Sequence, residues 1–360
     1  MDWFERITGF READYASSRA RLAVDGDELM SHVNGSRHPI GQLEVVSLQT
    51  LRARRASPQP GRRRTTVRCL VGDARALHAE PAFAGATIQV ASQFNLLEMV
   101  SPGVSPEDGV TRFAHNRTQG PACAIAAGAG TIYRNYFAPA GGGQGQTATR
   151  QIDTLAVLGD ALAERLGRPV QALWTMRNGY ALGTADGLAA ITQCLQQAPD
   201  HDLQRLRGLL AVGVHRDVVV TYAPPGHRPR VTQVYCSALP VAYSGVAADA
   251  WQPFGRLVLE AAYEATLLAA LEQVQRGGSA TVLLTRLGGG AFGNPGPWID
   301  DALVRALWIV EHAGLDVRLV SFGSAIPALQ HIEAAWGAGH PASDRGNAAG
   351  PAGAGTSDPV

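Results

Sequence analysis

The chain has 360 residues, 46% hydrophobic and 17% charged, enough apolar material to build a core in one large domain or two small ones. Its 31 basic residues, all arginine, balance 31 acidic ones, so no polycationic character argues for nucleic-acid binding. The opening MDWFERITGFRE carries charge where a secretory leader needs an apolar run, and no stretch is long and apolar enough for a spanning helix. Four cysteines, Cys69, Cys123, Cys194 and Cys236, lack CxxC spacing and read as free thiols in a reducing compartment. A cytoplasmic protein without metal, membrane or nucleic-acid partner is expected.

Taken in chain order, residues 1–64 form an N-terminal extension expected to pack on the core. It holds Trp3, Phe4, Ile7 and Phe10, a strand-like run Leu43–Leu51, and an arginine- and proline-rich break from Arg52 to Arg64 read as a solvated loop. The main domain, 65–336, begins with a strand, Thr65–Gly72, and a short helical turn from Asp73. A second strand, Thr87–Ala91, ends in Ser92-Gln93-Phe94-Asn95. A loop rich in Pro, Gly and acid runs from Glu98 to Arg117. Gln119-Gly120-Pro121 then opens a helix of small residues to about Phe137, whose bare face implies close approach to a neighbour or a ligand.

Internal insertions are expected over about 138–230. They comprise a flexible Gly-rich linker Ala138–Thr147, a helix Arg150–Leu166, a strand near Val170–Met176 and a turn at Asn178-Gly179. Helices at Thr184–Gln197 and Leu203–Leu210 and a strand Val212–Tyr222 complete them. A strand Val231–Leu239 and a long helix Trp251–Gln275 follow. Residues 337–360 collapse to Gly, Ala, Pro, Ser and Asp and read as a disordered tail.

The stretch Thr281–Gly323 is strand, glycine-rich loop, amphipathic helix, strand, which is the βαβ unit of a buried parallel sheet. The loop holds Gly288-Gly289-Gly290, then Ala291-Phe292-Gly293-Asn294-Pro295. Glycines there let backbone N–H groups approach an anion such as a diphosphate. It is neither a Walker loop, since the chain has no lysine, nor GxGxxG. The alternation predicts a three-layer α/β/α fold with a mixed central sheet and a ligand at the carboxyl ends of the strands.

Four of these features, Gly72-Asp73 after a strand, VASQFN ending a strand, TQGP opening a helix and GGGAFGNP, occur in the order seen in macrodomains, the fold that binds ADP-ribose. The segments VASQFNLLE, TQGPACAI, WTMRNGY, SALPVAY, LEAAYEATL and GGGAFGNP resemble a divergent branch related to the bacterial effector MavL, whose members remove ADP-ribose from arginine. The resemblance covers roughly Val67–Gly323. It implies an ADP-ribosylhydrolase with a modified protein as partner, and ADP-ribose as ligand and product without a cofactor.

On this resemblance, Asp73 accepts a hydrogen bond from the adenine amino group, the alternative being a simple helix cap. Gln93 and Asn95 meet a ribose edge. Asn116, Thr118, Gln119 and Gly120 form one phosphate loop. Gly288, Gly289, Gly290, Ala291, Phe292, Gly293 and Asn294 form the other, with Phe292 either packing on a sugar or anchoring the loop. Glycosidic cleavage through an oxocarbenium-like state needs a carboxyl group, and the acidic loop offers Glu98, Glu107 and Asp108. Asp300 and Asp301 read as dipole-complementing residues in a first helical turn. In this branch the residue two before TQGP is an aspartate, whereas here it is Asn116. An amide takes no proton at neutral pH, so a non-catalytic ADP-ribose reader is the alternative function. Processing of a small ADP-ribose derivative is a third. His115 has no metal-ligand spacing around it, and Ser237 lacks a GxSxG elbow.

Overall fold

The computed structural model describes residues 1–55, 63–116 and 118–339. Of the tail expected over 337–360, residues 340–360 lie outside the described residues, as do Arg117 and most of the break before Arg64, whereas Gly337 is the last residue of the helix Pro327–Gly337.

A seven-stranded sheet organises the chain. Its strands are β1 (Gln42–Ser47), β2 (Thr66–Val71), β3 (Thr87–Ala91), β4 (Ala211–Val219), β5 (Arg230–Cys236), β6 (Thr281–Leu284) and β7 (Asp316–Ser321). They lie side by side in the order β1-β4-β5-β3-β6-β7-β2. β4 runs antiparallel to both its neighbours, and β5, β3, β6, β7 and β2 run parallel. The mixed sheet and the three-layer α/β/α fold expected from the sequence are what the chain forms. No helix of the described residues is long and apolar enough to cross a membrane.

The period-2 alternation of strands explains the layering. Val282 and Leu284 of β6, Val317 and Leu319 of β7, and Val234 and Cys236 of β5 face one core with the 28-residue helix Ala248–Gln275 and the helix Gly296–Ile309. Leu283, Val320 and Tyr235 point the other way, onto a second core. That face carries α1 (Ala74–Ala79) and α2 (Gln119–Ala126), and α3 (Gly128–Tyr136) packs beside β4. The single helix expected up to Phe137 is broken at Ala127 into α2 and α3.

The N-terminal extension has its own apolar cluster, in which Trp3, Phe4 and Phe10 meet Ile132 and Tyr136 of α3. The division expected at residue 64 does not follow the sheet, because Gln42–Ser47 is its edge strand. Nor does the insertion expected over 138–230, since Ala211–Val219 is the strand beside it. Pairing with a distant strand is a long-range event that no local pattern announces. The expected linker Ala138–Thr147 is a tight hairpin, Pro139–Ala140 against Gly143–Gln144, with Gln146 fully buried.

Part of the basic cluster read as solvated is paired instead. Arg52 donates to Glu264 through Nε (2.6 Å) and Nη2 (2.8 Å), and Arg305 adds a third bond at 2.8 Å. Burial pushes the Glu264 carboxyl up, but the hydrogen bonds from Arg52 and Arg305 prevail and hold it below its ordinary value. A carboxyl so depressed stabilises the fold above its unfolded pKa, and that contribution is lost as pH falls through the folded value. Glu264→Gln is therefore expected to cost about 3 kcal/mol in urea unfolding at pH 7. The deficit against the parent should narrow as the pH drops below about 4.5.

Candidate functional site

β3 pairs with β6 only over Thr87 and Ile88, and beyond that point the two strands diverge. The gap is a cleft of about 450 Å³, a size suited to a small ligand. Segments following all five parallel strands line it: Gly72-Asp73, Ser92-Gln93, Ala238, Thr285 to Phe292, and Phe322. The carboxyl ends of the strands thus converge on one site.

Two walls present backbone amides. On one, Gly288 has φ +76 and a Cβ there would collide with the methyl of Ala238, so only glycine fits. The loop closes on itself through Gly293 N to Gly290 O at 3.0 Å and Asn294 N to Gly288 O at 2.9 Å. The amides of Gly288, Gly290, Ala291 and Phe292 make no hydrogen bond among the described residues. On the other wall, α2 begins at Gln119 after Thr118, with no side-chain cap and with a proline third, and the Gln119 and Gly120 amides have no partner among the described residues. The only cationic side chain lining the cleft among the described residues, Arg286, is forked onto Asp300 at 3.0 and 3.1 Å. An anion here would be held by amides and helix polarity.

The buried carboxyl group of the cleft is Glu98. It is 3% exposed, and its Oε1 is buried with no hydrogen-bond partner among the described residues. Burial pushes this carboxyl well above the ordinary range, opposed by the positive charge of Arg134. Gly120 lies against it: a Cβ at that position would collide with Glu98 Oε2 and the carbonyl of Ala91. The turn bearing Glu98 is tightly held. Met99 N donates to Gln93 Oε1 at 2.7 Å, and Tyr180 Oη donates to the Met99 carbonyl at 2.6 Å. The hairpin turn Asn178-Gly179, both residues at positive φ, sits on this segment, with Phe94 N donating to Gly179 O at 3.0 Å.

The sequence-based candidates separate accordingly. Asp73, Gln93, Asn116, Thr118, Gln119, Gly120, Gly288 to Phe292 and Glu98 all line the cleft. Asp73 also caps α1 by accepting from Ala76 N at 3.0 Å, which occupies one of its oxygens. Asn116 Oδ1 accepts from Thr118 N and Oγ1 at 3.0 and 2.8 Å. The Gln119 side chain acts as a substitute strand neighbour, accepting from Ala91 N and donating to Gln89 O.

Five candidates do not reach the cleft. Asn95 is fully buried, bonded to Leu97 N and Gln151, because the chain reverses after Gln93 with Leu96 at positive φ. Gly293 and Asn294 close the glycine loop from behind; the Asn294 amide donates to the carbonyls of Leu239 and Gly288. Glu107 is exposed and accepts from Ala148 N at 2.9 Å. Asp108 accepts from Ser105 N and Oγ, a local capping arrangement that holds it below its ordinary value. Both acids shape their loop rather than the cleft.

Sequence reasoning missed three aromatic residues of the cleft, Tyr180, Tyr243 and Phe322. Tyr180, Tyr243 and Phe292 form a mutual cluster with ring centroids 5.1 to 5.7 Å apart at the Glu98 side. Phe322 lines the cleft yet is 76% exposed. An aromatic residue directly after a parallel strand was the available signal for it. Glu12 was also silent: it accepts from Val110 N, Thr111 N and Tyr136 Oη, tying the N-terminal extension to the acidic loop.

No family profile and no curated protein sequence matches the chain. Among solved structures it is similar to poly(ADP-ribose) glycohydrolase from Deinococcus radiodurans in complex with ADP-ribose, at 12% identity, 82% and 92% coverage of the two chains and a TM-score of 0.39. It is similar also to the enzyme from Thermomonospora curvata, at 12% identity, 90% and 97% coverage and a TM-score of 0.40. The latter bound to the inhibitor ADP-HPD gives 14% identity, the same coverage and a TM-score of 0.39.

A carboxyl whose folded pKa is raised contributes stability below its unfolded value of about 4.5 and loses it as pH rises towards the folded value. Glu98→Gln is therefore expected to melt higher than the parent at pH 8, by at least a few degrees. The gain should vanish near pH 4, and equal melting temperatures at both pH values would remove the buried-carboxyl description.

Proposed function

We propose that the protein is an ADP-ribosylhydrolase that releases ADP-ribose from a modified protein, with arginine as the acceptor side chain. The observation that carries this is the meeting, in one cleft, of two runs of unpartnered amides and one buried, protonatable carboxyl. The amides of the Gly288–Phe292 loop and of Gln119-Gly120 suit a diphosphate. Phe322 offers a face for a base, and the second oxygen of Asp73 an acceptor for an exocyclic amine. The macrodomain resemblance supplies ADP-ribose as the ligand that unites these groups, and its MavL-related branch supplies arginine.

Held protonated by burial, Glu98 donates to the leaving nitrogen as the C–N glycosidic bond breaks and oxocarbenium character develops on the ribose. Water adds to the anomeric carbon and gives its proton to the Glu98 carboxylate, restoring the acid. Asn116 presents an amide at the cleft edge, able to orient the water or a ribose hydroxyl but not to take a proton.

Incubation with arginine-ADP-ribosylated protein is expected to release free ADP-ribose, detected by mass spectrometry. Glu98→Gln should slow release by about 100-fold or more. Glu107→Ala should leave it unchanged, since that side chain serves Ala148. Loss of activity in Glu107→Ala with none in Glu98→Gln would reverse the assignment.

The reader function has one specific observation in its favour, the amide at Asn116. Calorimetry showing ADP-ribose binding with no release from any linkage would establish it, and Asn116→Asp should then be the change that restores turnover. In either case Phe322→Ala should weaken ADP-ribose binding by about tenfold, the scale of one stacked base.

A further inference from the structure

We propose that Arg134 is the positioning residue of this site: its buried guanidinium grips the turn that carries Glu98, and so governs where and in which charge state that carboxyl meets the substrate. The functional consequence rests on the hydrolase reading; the geometry does not.

Arg134 stands on α3 and is fully buried. Its Nε donates to the carbonyl of Leu96, two residues before Glu98, at 3.1 Å. Nη1 meets His215 Nδ1 at 3.0 Å, and Nη2 donates to Thr131 Oγ1 at 2.9 Å. The guanidinium carbon lies 3.7 Å from the centroid of the Tyr235 ring. The main chain of Arg134 is tied to the same turn: Gln146 Nε2 donates to the carbonyls of both Arg134 and Asn95, at 3.1 and 3.0 Å. α3 comes this close to β4 because Gly130 faces His215, where a Cβ would stand 3.1 Å from Cε1.

All the hydrogen-bond partners of the guanidinium are neutral, and among the described residues it forms no ion pair. Burying a cation in this way is costly, and a neutral donor would suffice merely to hold a carbonyl. The positive charge of Arg134, held on the turn that carries Glu98, opposes the burial of that carboxyl and favours its ionised form. The other titratable groups near Glu98 are Cys123 on α2, Tyr235 and Cys236 on β5, and Tyr180 on the hairpin, and burial raises all four and keeps them neutral. His215, behind Arg134 on β4, is kept neutral by burial and by the Arg134 charge. Tyr235 is itself fixed by donating to Gln233 Oε1 at 2.7 Å, so the platform under the guanidinium is rigid. Among the described residues Arg134 is thus the charge placed to offset the burial of Glu98. It keeps the carboxyl able to shed its proton to a leaving group and regain it.

The test is the titration of Glu98, followed by infrared difference spectroscopy of the protonated-carboxyl band that disappears in Glu98→Gln. In Arg134→Met the midpoint should move up by at least about one pH unit. The release rate should drop at least tenfold while the Kd for ADP-ribose changes less than threefold. Arg134→Lys, with the charge but not the fork, should keep the midpoint near that of the parent and still lose rate. A midpoint identical in the parent and Arg134→Met overturns the charge role, and a parent-like rate in Arg134→Lys overturns the positioning role. The latter variant decides if Arg134→Met does not fold. A parent protein without turnover sinks the hydrolase reading alone, since the infrared midpoint still judges Arg134.

Discussion

The burial of one carboxyl group is the constraint on which the site depends. Glu98 sits where a carboxylate would be poorly solvated, with one oxygen left without a partner among the described residues. Such a group stays in place only if its surroundings are over-determined. Gln93 and Tyr180 hold Met99, Arg134 holds Leu96, and Gly120 leaves the space that the carboxyl occupies. Glu12 reaches from the N-terminal extension to bind the acidic loop downstream of Glu98. The extension is in this sense part of the scaffold of the site, although none of its described residues lines the cleft.

On the function proposed above, the cleft would separate two tasks between two kinds of group. Charge neutralisation would fall to amides at the glycine loop and at the start of α2, since among the described residues lining the cleft the one cation, Arg286, is committed to Asp300. Proton handling falls to a side chain sheltered from water. Divergence of β3 from β6 after Ile88 sets the two tasks on opposite sides of one opening. Gln119 covers the backbone that this divergence would otherwise leave unpaired.

Much of this was legible locally. Strands Thr87–Ala91 and Thr281–Leu284 match their apolar runs residue for residue, and the glycine loop declared itself by composition. Side-chain direction was not legible. VASQFN looks like a row of ligand groups, yet the reversal at Leu96 turns Asn95 inward and spends Gln93 on Met99. Three acids in one loop were equivalent by sequence; burial alone separates Glu98 from Glu107 and Asp108, and burial depends on α2 arriving from elsewhere in the chain. Arg134 lies in an unremarkable stretch, TIYRNY, and only the tertiary fold brings it beneath Leu96. The helix Pro327–Gly337 was also missed, although Trp336 closes the sheet edge by donating to the Thr65 carbonyl at 2.8 Å.

The measurement that bears most directly on the cleft as an ADP-ribose site is a crystal structure with ADP-ribose bound. The diphosphate oxygens should lie about 3 Å from amides of the Gly288–Phe292 loop and of Gln119 or Gly120. The distal ribose should then turn its anomeric carbon towards Glu98. A ligand bound elsewhere, or one whose diphosphate touches neither amide run, would contradict the assignment of this cleft.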